Sequence, residues 1–483
     1  MLSFGYDFYD SLSSCYTCGD EIFAKVQRER EKGVSGYYAL PFENRACEDL
    51  AGFVSKNEEL LTHIENLVLI GVGGSSLGAK AIHHLLRYTP LSSQNPQSQA
   101  QSTNQPTSAK SQTKSTNQEK NRKATSHKKA PKIYFLEHTD ALSIPHILSK
   151  IMLDSTLFIA ISKSGGTIET SSLLKYVISR FSLLDSSEGK SHLLCITDEG
   201  SALQSFAKKE GVECISIAPS VGGRFSVLSA VGLLPLGLLG YDIAQILRGA
   251  REFMERFFAR KEEHILAKAS FLAKNYECYP ITTLFSYSSI FREFNAWFVQ
   301  LWGESLGKID KDGKRVGLSP VGLIGSIDQH SFLQLIIEGR TDKTVTFLSI
   351  APSALPSSPK IPLLSLHSLE SSDFVNGVGF AELLDRQRLA TFQSLENLQY
   401  DSLGAESNIK SSKEQASVKS KEILSKIPLD SIVLNELSER SVGALIAYFE
   451  LLTSAVGCAL DIDTYNQPGV ELGKVLLKKG FSK

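Results

Sequence analysis

Apolar residues in this chain gather in short unbroken runs more often than in alternating ones. The runs NLVLIGV (66–72), KIYFLEH (132–138), STLFIAIS (155–162), HLLCITD (192–198) and ECISIA (213–218) are apolar on consecutive positions. A strand of that kind is covered on both faces, as in a parallel sheet. Between these runs, AKAIHHLLRY (79–88), TIETSSLLKYVISRF (167–181) and ALQSFAKKEG (202–211) repeat apolar residues at helical spacing. A long helical region follows, from Ile243 to about Lys274, and then a second alternating set. It comprises PITTLFSY (280–287), a helix to about Gly307, VGLIG (321–325), a helix from Ser331 and TVTFLSI (344–350). The pattern predicts an α/β fold of two tandem three-layer αβα domains with mostly parallel sheets and helical extensions at both chain ends. The expected division is 1–45 for an N-terminal helical extension, 46–242 for the first domain, 243–450 for the second with its linking helices, and 451–483 for a C-terminal helical arm.

Two stretches break the pattern. Residues 91–131 are almost wholly Ser, Gln, Asn, Thr, Lys and Pro, too polar to offset the entropy of ordering, and are expected to form a disordered surface excursion. A milder polar stretch, 401–422, is expected to be a loop. Overall composition is that of a globular protein, 42% hydrophobic and 21% charged over 483 residues. A net charge of −1 leaves no electrostatic footprint for nucleic acid or an anionic membrane. The most apolar stretch, Val227–Gly240, contains Pro235 and several glycines and is too short to span a bilayer comfortably, so a buried helix is expected. MLSFGYDFYD lacks the basic-then-apolar order of a signal peptide, and a cytoplasmic location is expected. Cys15 and Cys18 make a single C-x-x-C with no second Cys or His pair to complete a metal site. No metal is expected.

The candidate chemistry lies at the ends of the apolar runs. IGVGGSSLGAKA leads from a strand into a helix through Gly71, Gly73 and Gly74, with the hydroxyls of Ser75 and Ser76 available to a phosphate. A dinucleotide fingerprint would need glycine at 76, which is Ser76, so no nucleotide cofactor is expected. ISKSGGTIET repeats the arrangement with Ser162, Lys163, Ser164 and Thr167 around two glycines. On its own it reads equally well as a phosphate cradle or as a capped helix start. Further on, Arg224 follows two glycines, Glu304 sits among apolar neighbours near a helix end, His330 opens a helix after Asp328 and Gln329, and Lys474 lies on an amphipathic helix after Gln467. Taken singly, each of these also has an ordinary structural reading.

In order and at compatible spacing, GVGGSSLG, ISKSGGTIET, GGRFS, GESLGK, DQHSF and NQPGVELGK resemble the phosphoglucose isomerase family, built on two flavodoxin-like sugar-isomerase (SIS) domains. The resemblance spans about Ile70 to Lys474. It implies reversible isomerisation of D-glucose 6-phosphate to D-fructose 6-phosphate through ring opening and a cis-enediol(ate), a step of glycolysis and gluconeogenesis, without cofactor or metal. It further implies a phosphate held by Gly74, Ser75, Ser162, Lys163, Ser164 and Thr167. Glu304 would be the general base, and Arg224 would stabilise the developing oxyanion. His330 and Lys474 would assist ring opening, and Gln467 would contact the substrate. A homodimer with His330 contributed across subunits is implied as well. Two other functions fit the fold: a sugar-phosphate-binding regulator, or an isomerase of a related sugar phosphate. Many family members carry threonine where this chain has Gly166, and a polar residue where it has Leu306.

Overall fold

The computed structural model describes residues 1–5, 16–89, 130–355, 358–405 and 427–481. Of the sequence expectations, nearly all of 91–131, most of 401–422 and Cys15 lie outside these residues. The second sheet begins at the chain's start, with β1 (Leu2–Gly5); the first sheet follows it in sequence and is fully parallel. It contains β2 (Asn66–Ile70), β3 (Lys132–Leu136), β4 (Thr156–Ile161), β5 (Leu193–Asp198) and β6 (Glu213–Ile217) in the order β3-β2-β4-β5-β6. Its non-alternating sequences are explained by burial on both faces. Leu67, Leu69, Leu157, Ile159 and Ile161 point into one core with helices Leu77–Leu86 and Ala230–Leu238. Val68, Ile70, Phe158 and Ala160 point into another with helices Ile168–Phe181 and Ala202–Glu210.

Besides β1, the second sheet is formed by β7 (Ile281–Tyr287), β10 (Ser319–Gly325), β11 (Lys343–Ile350) and β12 (Leu429–Leu434), in the order β1-β12-β11-β7-β10. It is parallel except at its edge, where β1 runs antiparallel to β12 with Leu2 opposite Leu434. A two-stranded hairpin, β8 (Lys308–Ile309) with β9 (Arg315–Val316), stands apart. One face of the second sheet, including Leu284, Ile324, Leu348 and Ile432, joins the same core as the first sheet. That shared layer is helical and includes Ile243–Phe258, Glu263–Asn275, Arg292–Leu306 and Glu439–Ala459. The opposite face packs Phe285, Val345 and Phe347 beneath Leu395 of the helix Phe380–Ala405.

Two expectations need correction. Residues 1–45 are not purely helical, because Leu2–Gly5 is a strand of the distant second sheet. The boundary at 450/451 falls inside the helix Glu439–Ala459, and among the described residues beyond it the outlying helix is Glu471–Phe481. The helical region expected from Ile243 to about Lys274 is made of two helices, Ile243–Phe258 and Glu263–Asn275, separated where Arg260 adopts φ 58°. The helix Glu439–Ala459 has the length and composition to cross a membrane, but 94% of its most apolar window is buried inside the protein. Each large apolar side chain buried there contributes about 1.5–3 kcal/mol, which accounts for its hydropathy without a bilayer.

Candidate active site

Strand order directs attention to one place. The chain passes from β2 to β3 on one side and then to β4 on the other, so the connections after β2 and β4 diverge at the C-terminal edge of the first sheet. Such a switch point leaves a crevice for ligands. Both glycine-rich stretches emerge there. Residues Gly73–Ser75 form a 3-10 turn after β2, and residues 162–167 link β4 to the helix Ile168–Phe181.

The first loop is wedged between two other elements. A Cβ on Gly74 would lie 2.3 Å from the carbonyl oxygen of Gly223, so glycine is what lets the Gly222–Phe225 turn approach. Gly73 faces the amide of Gln300, on the helix Arg292–Leu306. In the second loop Gly165 has φ +69°, and a Cβ there would be 2.4 Å from the amide nitrogen of Leu203. Ser162 donates to Thr167 Oγ1 at 3.3 Å, and the amide of Gly166 donates to Ser164 Oγ at 3.3 Å.

Two expected phosphate ligands point elsewhere. Ser76 is buried and donates to Gly73 O at 3.4 Å and to Glu137 Oε2 at 3.2 Å, so of the two adjacent hydroxyls that of Ser75 is the one available. The Lys163 ammonium donates to Pro219 O at 2.9 Å and stands 3.9 Å from Asp198, turned away from the loop hydroxyls. Burial raises the Asp198 carboxyl to about 6, with Lys163 pulling the other way.

Arg224 is the most constrained group in the site. Its side chain is 2% exposed, and all three of its nitrogens are engaged. Nε donates to Ser305 Oγ at 2.7 Å and Nη1 to Gln467 Oε1 at 3.0 Å. Nη2 donates to the carbonyls of Thr464 at 2.6 Å and Asn466 at 3.1 Å. Burial lowers its pKa, while Glu304 and Asp463 oppose that shift. A guanidinium tolerates this because its donor fork matches fixed acceptors and its charge survives any physiological pH.

Glu304 Oε2 lies 3.7 Å from Arg224 Nη1. The helix Arg292–Leu306 buries Trp297, Phe298, Leu301, Trp302, Ser305 and Leu306, leaving Gln300 and Glu304 half-buried one turn apart on its open side. Gln300 escaped notice in the sequence. Its Oε1 is buried without a hydrogen-bond partner, and the available signal was its position four residues before Glu304. Lys308, within the motif GESLGK, also reaches this corner. Among the described residues no group of three or more His, Cys, Asp or Glu side chains could hold a metal.

The structure therefore gathers Arg224, Glu304 and Gln467 beside the two loops. It does not bring His330 or Lys474 to them within one chain. Asp328 accepts from the amide of Ile324 at 2.7 Å and from Ser331 Oγ at 2.8 Å. Gln329 donates to Tyr287 Oη at 3.0 Å and to Thr391. These bonds fix the turn Ile327–His330 and leave His330 on the surface. Lys474 pairs with Glu471 at 2.7 Å on the exposed helix Glu471–Phe481.

The phosphoglucose isomerase family profile matches residues 120–482. The chain is similar to the glucose-6-phosphate isomerase of Campylobacter jejuni, 36% identical with 94% of each chain covered. It is also similar to a glucose-6-phosphate isomerase of Thermus thermophilus, 29% identical over 94% of this chain and 92% of that protein. Among solved structures, a hypothetical protein from Thermus thermophilus superposes over the whole of both chains with TM-score 0.79 at 27% identity. A glucose-6-phosphate isomerase from Chlamydia trachomatis shares the fold, with TM-score 0.64 at 22% identity over 91% of this chain and 74% of that one.

Proposed function

The chain belongs to the phosphoglucose isomerase family, and on that footing we propose that it interconverts D-glucose 6-phosphate and D-fructose 6-phosphate. The observation that carries the assignment of roles is the Glu304 carboxylate beside the buried, fully engaged Arg224 guanidinium.

Moving a proton between adjacent carbons needs one base that reaches both. Glu304 takes the proton from C2 and returns it to C1. In between, negative charge develops on an enediolate oxygen, and Arg224 stabilises it with a positive charge that needs no reorganisation. Gln467, hydrogen-bonded to Arg224, and Gln300, one turn before Glu304, line the same corner. The phosphate does no chemistry. It binds against Gly74, Ser75, Ser162, Ser164 and Thr167, and that remote binding energy orients C1 and C2.

Ring opening needs an additional acid–base group, and imidazole suits that task near neutral pH. His330 and Lys474 take this role once a second copy of the chain covers their surfaces, with His330 entering the partner's site. Support for a homodimer comes from exposed apolar side chains: Leu363, Leu366, Leu369 and Phe374 in one segment, and Leu472, Leu476 and Phe481 on the helix that carries Lys474.

A coupled assay for fructose 6-phosphate tests the reading. Glu304→Gln is expected to lower kcat by about 10²–10⁴-fold, and near-normal turnover would remove Glu304 from the role of base. Mixing inactive Glu304→Gln and His330→Ala chains after subunit exchange should restore about a quarter of the sites in a shared-site dimer. No recovery despite exchange would mean that His330 serves its own chain. Tight fructose 6-phosphate binding with no turnover in the unaltered protein would mark a sensor instead of an enzyme.

A further inference from the structure

We propose that Lys308 is a positioning residue for the isomerisation: its ammonium ties the carbonyl of Glu304 to the carbonyl of Asn466, and so sets where the Glu304 carboxylate stands relative to Arg224. The inference rests on Glu304 being the base. Lys308 opens β8 just after Gly307, and its Nζ donates to Glu304 O at 2.8 Å and to Asn466 O.

The need for such a tie follows from where Glu304 sits. It lies in the last turn of the helix Arg292–Leu306, where carbonyls lack intrahelical partners and helices fray. A cation at that end satisfies an orphan carbonyl and complements the helix dipole. The other anchor is shared: Asn466 O also accepts Arg224 Nη2 at 3.1 Å. One carbonyl therefore links the two cations, and Lys308 connects the backbone that carries the base with the segment that holds the oxyanion-stabilising arginine. A shift of this backbone would change the 3.7 Å separation between Glu304 Oε2 and Arg224 Nη1, and small misplacements of reacting groups are costly.

The charged groups facing Lys308 are Arg224 from the Gly222–Phe225 turn, Glu304 from the helix and Asp463 from the segment before Gln467. Burial and Arg224 bring the Lys308 ammonium down to about 8, with Asp463 and Glu304 opposing. The tie is therefore mostly charged at neutral pH and weakens above about pH 8, which supplies a readout that simple loss of packing would not produce.

The test is steady-state kinetics of the full chain across about pH 6–10 for the unaltered protein, Lys308→Met and Lys308→Arg, with Tm measured for each. Lys308→Met should lower kcat at neutral pH by about 10–100-fold while KM changes less than about threefold, as expected for loss of a charged hydrogen-bond pair that acts on the transition state. Lys308→Arg, which stays charged, should recover most of kcat and lack the fall in activity centred near pH 8. A normal kcat in Lys308→Met, or an unchanged alkaline fall in Lys308→Arg, would overturn the proposal. If Lys308→Met folds poorly, the arginine variant still decides the matter through its pH profile. Glu304→Gln measured alongside separates the two ideas: activity there removes the base assignment, whereas an inactive Glu304→Gln with an active Lys308→Met removes only the role of Lys308.

Discussion

At one end of the site, Arg224 directs its guanidinium to four acceptors drawn from the Ser305 turn of a helix and from the Thr464–Gln467 segment. At the other end, the hydroxyls of residues 162–167 make internal bonds of 3.3 Å, Ser162 buried but Ser164 exposed, and Lys163 donates to Pro219 O. The two ends divide the work between them. Charge that stabilises a short-lived species is useful only if it needs no rearrangement when that species forms. A grip on a stable phosphate can be assembled on arrival, because weak internal bonds are readily exchanged for charge-assisted ones.

The largest effect is expected from Arg224→Lys. An ammonium cannot serve four fixed acceptors in two directions, so kcat is expected to fall about 10²–10³-fold with a smaller change in KM. A kcat within a few-fold of normal would mean that the rigid end is not where the chemistry is stabilised. Gly166→Thr probes the soft end. Gly166 does not have a positive φ, and an added Cβ would meet only Ser164 Oγ at 3.6 Å. KM should change by no more than about threefold and kcat hardly at all, in line with an effect on uniform binding. A large fall in kcat would show that this loop shapes the reacting end as well.

The smallest effect is expected at Asp198, behind Lys163. Its carboxyl is raised from 3.8 to about 6 by burial, so its favourable contribution to stability is complete below about pH 3.8 and is lost as pH rises through about 6. Asp198→Asn cannot titrate, and its Tm relative to the unaltered protein should therefore rise by a few degrees at most between about pH 4 and pH 7. A flat difference across that range would show that Asp198 is not strained by its surroundings.

Much of this was legible in the sequence because burial on both faces of a parallel sheet leaves unbroken apolar runs, and β2, β4 and β5 each contain one. β12 escaped because LDSIVL carries Asp430, which reads as solvent-facing. In the fold Asp430 is 4% exposed and accepts from Lys268 at 2.6 Å and Thr346 at 2.7 Å, a buried pair that the local pattern cannot reveal. The motif around Arg224 was visible, but three of its four acceptors come from a segment about 240 positions away, two of them backbone carbonyls, which any residue type supplies. His330 was visible too. That Asp328 and Gln329 serve to pin its turn emerges only from Ile324 and Thr391.

The short edge strand Leu2–Gly5 sets a timetable for the molecule. It pairs with β12, and the side chains of Ser3 and Asn435, 432 positions apart, are joined by a hydrogen bond. During vectorial synthesis, residues 2–5 are made long before their partner exists, while the first sheet, complete by Ile217, can already close. These residues are therefore the latch of the second sheet: made before it, seated late, and idle until β12 has emerged.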